Sequence, residues 1–197
     1  MIREQFTIFG RKYRMGSYIL LIRVSRPFEL VFGRFQQGKL FTIPEGDYLY
    51  IGSALGGVNK GAPLARRLLR HASRSCTNAP HAIRAAMMTL FQTDDFMEPG
   101  AIEPSGKKLR WHIDYLLEHR EAEIDHIIII RSPLRVECKL SELLEKLPEI
   151  SLIAPRLGAQ DSRNSTHLLR LNNREKIFDL LNTSIPDIQE LTSTPAP

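Results

Sequence analysis

Apolar and polar positions break this chain into short runs of two kinds. Ser17 to Val24 (SYILLIRV) is aliphatic nearly throughout and lacks the three-to-four spacing of a helix, which predicts a buried strand. After Arg26-Pro27, two shorter runs, Phe28 to Phe32 and Lys39 to Ile43, are joined through Gly33 and Gly38 and predict a hairpin. Pro44-Glu45-Gly46 then turns the chain into a further strand, Asp47 to Gly52. The pattern changes at Pro63: Leu64, Leu68 and Leu69 fall on one side of a helix to about Ser75, with arginine opposite. Further on, 82–90 and 111–119 read as helices, 124–130 as a fully buried strand and 136–147 as a helix. A loop over 148–166, a short strand at 168–171 and a helix at 174–181 follow.

These runs predict an α+β fold with α/β-like alternation, a small antiparallel sheet flanked by helices. The expected organisation is an N-terminal extension (1–15), a main domain (16–171) with an insertion at about 76–108, a C-terminal helix (172–183) and a disordered tail (184–197). Pro80, Pro99, Gly100, Pro104 and Gly106 mark the insertion, and three prolines with Ser and Thr mark the tail.

Composition sharpens this. At 197 residues, with 43% hydrophobic and 25% charged positions, the chain is an ordinary globular one. The net charge of +5 is unevenly spread: residues 1–74 hold 13 Lys and Arg against 4 Asp and Glu, or +9, and the rest holds 14 against 18, or −4. A basic half of that kind favours a polyanionic partner, because each phosphate neutralised releases counterions. Two cysteines without metal-ligand spacing, Cys76 and Cys138, point away from a disulfide scaffold and toward a reducing compartment. The longest aliphatic run, Ile127 to Ile130, is far short of the ~20 residues that span a bilayer, and the N-terminus has no apolar leader pattern. A cytoplasmic protein without membrane contact is expected.

The chemistry gathers in the basic half. Gly16-Ser17-Tyr18 opens one strand and Tyr50-Ile51-Gly52 ends another, so two tyrosines can face the helix that follows. Gly52 to Gly57 is glycine-rich and lets backbone approach a ligand, or serves simply as a strand-to-helix turn. On the helix, Arg67 and His71 are four apart and share a side; Arg66, Arg70 and Arg74 form a neighbouring stripe, with Lys60 just before them. Arginine suits phosphate because its planar donors pair with two oxygens and its charge persists at any working pH. A tyrosine phenol becomes a base only where cations favour phenolate, and otherwise donates a hydrogen bond. Glu137 begins a later helix, where a carboxylate is electrostatically comfortable, and it equally suits a hard cation such as Mg²⁺. Trp111-His112-Ile113-Asp114-Tyr115 is dense in polar and aromatic groups, but His112 and Asp114 do not share a helix face.

Taken in order, Gly16-Ser17-Tyr18, Tyr50-Ile51-Gly52, Arg67 and His71 in RLLRH, and Glu137 resemble the GIY-YIG nuclease superfamily. The resemblance is closest to a small prokaryotic branch whose members occur alone or fused to endonuclease III-like glycosylases. Tyr48 to Gly57, Lys107 to Leu117 and Glu137-Cys138 match further segments of that branch. Ser17 replaces the central isoleucine of the first tripeptide, and the two cysteines common near Ser162 and Asn164 are missing. The resemblance implies Tyr18, Tyr50, Arg67 and His71 as catalytic residues, with Glu137 holding one Mg²⁺ or Mn²⁺ ion. It implies a metal-dependent DNA endonuclease with DNA repair or recombination as its setting, and Lys60, Arg66, Arg70 and Arg74 along the DNA. A nucleic-acid-binding module that keeps the groove without turnover is the alternative. An adaptor acting through the Trp111 helix is a third reading.

Overall fold

The fold follows from two strands buried on both faces. In this computed structural model, residues 2–56, 61–76, 78–97, 107–158 and 165–193 are described, with side chains from 4 to 188. The elements in chain order are β1 (Phe6–Phe9), β2 (Gly16–Val24), β3 (Phe28–Val31), β4 (Leu40–Ile43), β5 (Gly46–Ala54), α1 (Pro63–His71), α2 (Ile83–Thr93) and α3 (His112–Glu118). After these come β6 (Ala122–Arg131), α4 (Glu137–Leu144), β7 (Ile150–Ser151), β8 (Leu168–Leu171) and α5 (Arg174–Ser193). Six strands form one sheet in the order β1-β6-β2-β5-β8-β7, and β3 with β4 forms a separate ribbon. The class is α+β. All pairings in the large sheet are antiparallel except β1 with β6.

Alternation along β2 divides the core in two. Tyr18, Leu20 and Ile22, with Tyr48, Tyr50, Ile127 and Ile129, point toward α1, α2, α3 and the ribbon. Ile19 and Leu21, with Leu49, Ile51, Ile128 and Ile130, point toward α4 and α5. Helices on both faces explain why SYILLIRV and the isoleucine run are continuous rather than alternating.

Four expectations need correction. Residues 1–15 are not an extension, since Phe6 to Phe9 pairs in parallel with Ile127 to Ile130 and closes one sheet edge; His126 fastens it, its Nε2 3.0 Å from Thr7 Oγ1. Most of the supposed insertion is core, because α2 buries Ile83, Met87, Leu90 and Phe91 and is followed by buried Phe96. Its remainder, 98–106 with Thr77, lies outside the described residues. The helix after Pro63 stops at His71 rather than Ser75, where Arg74 turns in to bond carbonyl groups elsewhere. Finally, α5 runs through Pro186 to Ser193 instead of ending before a tail at 184. Ile177, Leu181 and Ile185 are spaced four apart and buried, and this stripe carries the helix past a residue that cannot donate its backbone bond. Residues 194–197 lie outside the described residues. Among the described residues no helix is long and apolar enough to cross a membrane.

Candidate nucleic-acid interface

The two glycines of the tyrosine tripeptides are there for space. In the β2–β5 register Tyr18 lies opposite Gly52, and a methyl group at Gly52 would strike the Tyr18 ring and hydroxyl. Gly16 has φ +154°, and a Cβ there would run into the carbonyl of Ile130. Tyr18 thereby passes over Gly52, beside Tyr50, with ring centres 6.3 Å apart.

α1 covers these rings. Leu64, Ala65, Leu68 and Leu69 face the core, and the same packing directs His71 onto the tyrosines. The Tyr18 hydroxyl lies 2.8 Å from His71 Nε2, and the Tyr50 ring stands edge-on to the imidazole at 6.0 Å. Beyond His71 lies Asp114, fully buried on α3, with Oδ1 3.5 Å from His71 Nδ1. Arg70 grips that carboxylate with two bonds of 2.8 Å, and the backbone N–H groups of Arg110 and Trp111 each donate to Oδ2 at 2.8 Å. The result is a line from Tyr18 through His71 and Asp114 to Arg70.

Burial sets the protonation of this line. It pushes His71 down to about 4 against the pull of Asp114, so the imidazole is neutral near pH 7. For Asp114, burial works upward, but His71 close by and the paired bonds from Arg70 outweigh it and hold the carboxyl well below its usual range. Burial and then the neighbouring Tyr50 raise Tyr18 well above the ordinary phenol value, with Arg67 pulling the other way. Tyr18 at rest is therefore a neutral phenol donating to a neutral imidazole, not a standing base.

Along α1 a groove of about 290 Å³ opens, lined by Gly56, Pro63, Arg66, Arg67, Arg70 and Trp111. Arg67 is half-buried, its guanidinium carbon 4.3 Å from the centre of the Trp111 ring and close enough to Tyr18 to act on its phenol. Arg66 is exposed. Tyr18, Tyr50, Arg67 and His71 are thus brought together.

The other expected residues part company. Arg70 is neutralised by Asp114 and also bonds the Lys108 carbonyl. Arg74 is spent internally on the carbonyls of Ala79, Leu117 and Ala122 and on Glu123, with its side chain 6% exposed, so it does not face a ligand. Lys60 lies outside the described residues. Glu137 stands on the other face of the sheet, because Ser17 and Ser53, which it touches, alternate with Tyr18 and Gly52 along β2 and β5. Ser17 Oγ donates to Oε2 at 3.1 Å, Ser53 Oγ to Oε1 at 2.9 Å, and Arg135 approaches Oε1 at 3.5 Å. This carboxylate is 5% exposed. With both oxygens engaged and a sheet between it and Arg67, Glu137 does not fit a cation acting at the tyrosine groove. Among the described residues there is no group of three or more His, Cys, Asp or Glu suited to a metal ion.

Sequence reasoning missed Asp114 and Trp111 as members of this site. The available signal was an acidic residue three places after Trp111, which reaches back to the start of α3 as half of a capping box. His112 points elsewhere and accepts the Gly158 N–H at 3.1 Å, and His167 Nε2 lies 3.0 Å from Ser165 Oγ.

A model of one protein family, described as a domain of unknown function, DUF123, matches residues 17–190. No curated protein and no solved structure matches the chain.

Proposed function

Because the chain belongs to the DUF123 family, whose description assigns no activity, we propose from the site itself that it binds DNA in the Arg67 groove and cuts a phosphodiester there as an endonuclease. One observation carries the binding half of this reading. Arg67 is a guanidinium without a carboxylate partner among the described residues, set in an open groove beside two tyrosines. Its planar donors suit two non-bridging oxygens of one phosphate, and its charge would offset the charge that develops on them during cleavage. Arg66 extends the contact along the strand. Tyr18, held by His71, lies buried beside Arg67, and neither Tyr18 nor His71 lines the groove.

The cleavage half rests on the resemblance of the two tyrosine tripeptides, RLLRH and Glu137 to GIY-YIG nucleases, with DNA repair or recombination as the setting. Mg²⁺ or Mn²⁺ belongs to that resemblance. Since Glu137 as placed does not fit the ion at this groove, no step is assigned to it.

Glu137 also favours a second reading, a nucleic-acid-binding module without turnover, because its oxygens are taken by Ser17 and Ser53. One experiment separates the two. Purified protein is incubated with supercoiled plasmid and with branched DNA, with and without Mg²⁺ or Mn²⁺. Metal-dependent nicking that disappears in Arg67→Ala supports the endonuclease; salt-sensitive binding without nicking supports the binding module. Nicking that persists undiminished in Arg67→Ala overturns the site assignment.

A further inference from the structure

Arg67 and Arg70 lie three apart on α1, and both reach the indole of Trp111, with guanidinium carbons 4.3 and 4.4 Å from the ring centre. Two cations on one ring repel each other unless one is neutralised. Asp114 neutralises Arg70 alone, through paired bonds of 2.8 Å. The same carboxylate accepts the backbone N–H groups of Arg110 and Trp111, which fixes the chain carrying the indole. Arg67 remains uncancelled and close against the ring face that attracts cations, with the exposed Arg110 guanidinium farther out at 5.2 Å.

We propose that Trp111 is a positioning residue for the phosphate site, its indole holding the Arg67 guanidinium beside Tyr18 while Asp114 anchors the indole and removes Arg70 from competition for the phosphate. This inference rests on the groove reading above and says how that groove keeps one guanidinium aimed. Leaving Arg67 loose on its flexible stem would cost ordering at each binding event.

The test uses the full chain and a fluorescein-labelled oligodeoxynucleotide, with anisotropy measured at several salt concentrations. Trp111→Leu and Arg67→Ala each weaken binding about 10-fold, and Trp111→Phe stays within about 3-fold, as a contact of this kind predicts. Asp114→Asn frees Arg70 for a phosphate and steepens the salt dependence by roughly one counterion. Trp111 is the sole tryptophan, so its emission reports the contact directly, and Arg67→Ala changes that emission with no DNA present. Trp111→Leu binding as tightly as wild type while Arg67→Ala loses binding overturns the positioning role and leaves the groove reading standing. An Arg67→Ala emission identical to wild type overturns the indole contact, and an unchanged slope in Asp114→Asn overturns the part given to Asp114. Arg67→Ala that binds DNA like wild type overturns the groove reading itself.

Discussion

The same pair of strands carries two polar networks on its opposite faces, and they are built on different terms. On one face Tyr18, with Tyr50 beside it, joins His71, Asp114 and Arg70, a line that is buried at its centre and ends in an open groove. On the other, Ser17 and Ser53, directly opposite each other, close on Glu137 at the start of α4. The first includes a buried ion pair, so removing one member strands a charge. The second is one carboxylate with two neutral donors and the exposed Arg135 at 3.5 Å, a cation that water solvates if the pair is broken, so it can lose a bond more cheaply. A shift of one residue along either strand separates a network suited to present a cation from one suited to pin two strands to a helix.

The largest expected effect is Asp114→Ala, which leaves Arg70 without its partner and should cost about 3–5 kcal/mol in urea unfolding. A loss no larger than that of Glu137→Gln would erase the contrast between the two faces. Acid comes next. His71 titrates at about 4 in the folded chain and near 6.5 in the unfolded one, so the unfolded state takes up the proton first as pH falls. This contribution is full above about pH 6.5 and is lost toward pH 4, by roughly 3 kcal/mol, and His71→Gln removes it while leaving the shares of His81, His112, His119 and His126, whose values burial also lowers. Below it, protonation of Asp114, whose folded pKa is depressed, continues the loss.

Gly52→Ala should cost about 1–3 kcal/mol by overpacking against Tyr18, and near-ultraviolet circular dichroism of the tyrosines should report the displaced ring. Glu137→Gln should cost the least, about 1 kcal/mol by chemical denaturation, since the amide keeps one acceptor for the serines. That variant also sharpens the functional comparison. If it abolishes metal-dependent nicking while DNA binding stays intact, Glu137 serves catalysis from its present face, and the two networks act together.

Much of the fold was legible before the coordinates. Chain segments that cannot make a helix stripe, such as SYILLIRV and the isoleucine run, read directly as doubly buried strands. That Arg67 and His71 share a side of α1 was legible too, because a four-residue helical step is a local rule; their meeting with Tyr18 and Tyr50 was implied by the resemblance. Phe6 to Phe9 becomes β1 through pairing with β6, more than 100 residues away, which nothing local encodes. Pro186 read as a stop because the stripe of Ile177, Leu181 and Ile185 gains its value only against the sheet.

What the sequence determined by itself was periodicity: which residues share a face of a strand or helix, and hence that Ser17 and Tyr18 must part. What only the tertiary structure decided was which helix covers each face and which arginine meets which carboxylate. Arg67, Arg70 and Arg74 are chemically identical, the first two on α1 and the third just past its end, and their separate fates come from Asp114 and Glu123, some 44 and 49 residues beyond Arg70 and Arg74 respectively. Electrostatic pairing depends on distance in space, and separation along the chain does not encode it.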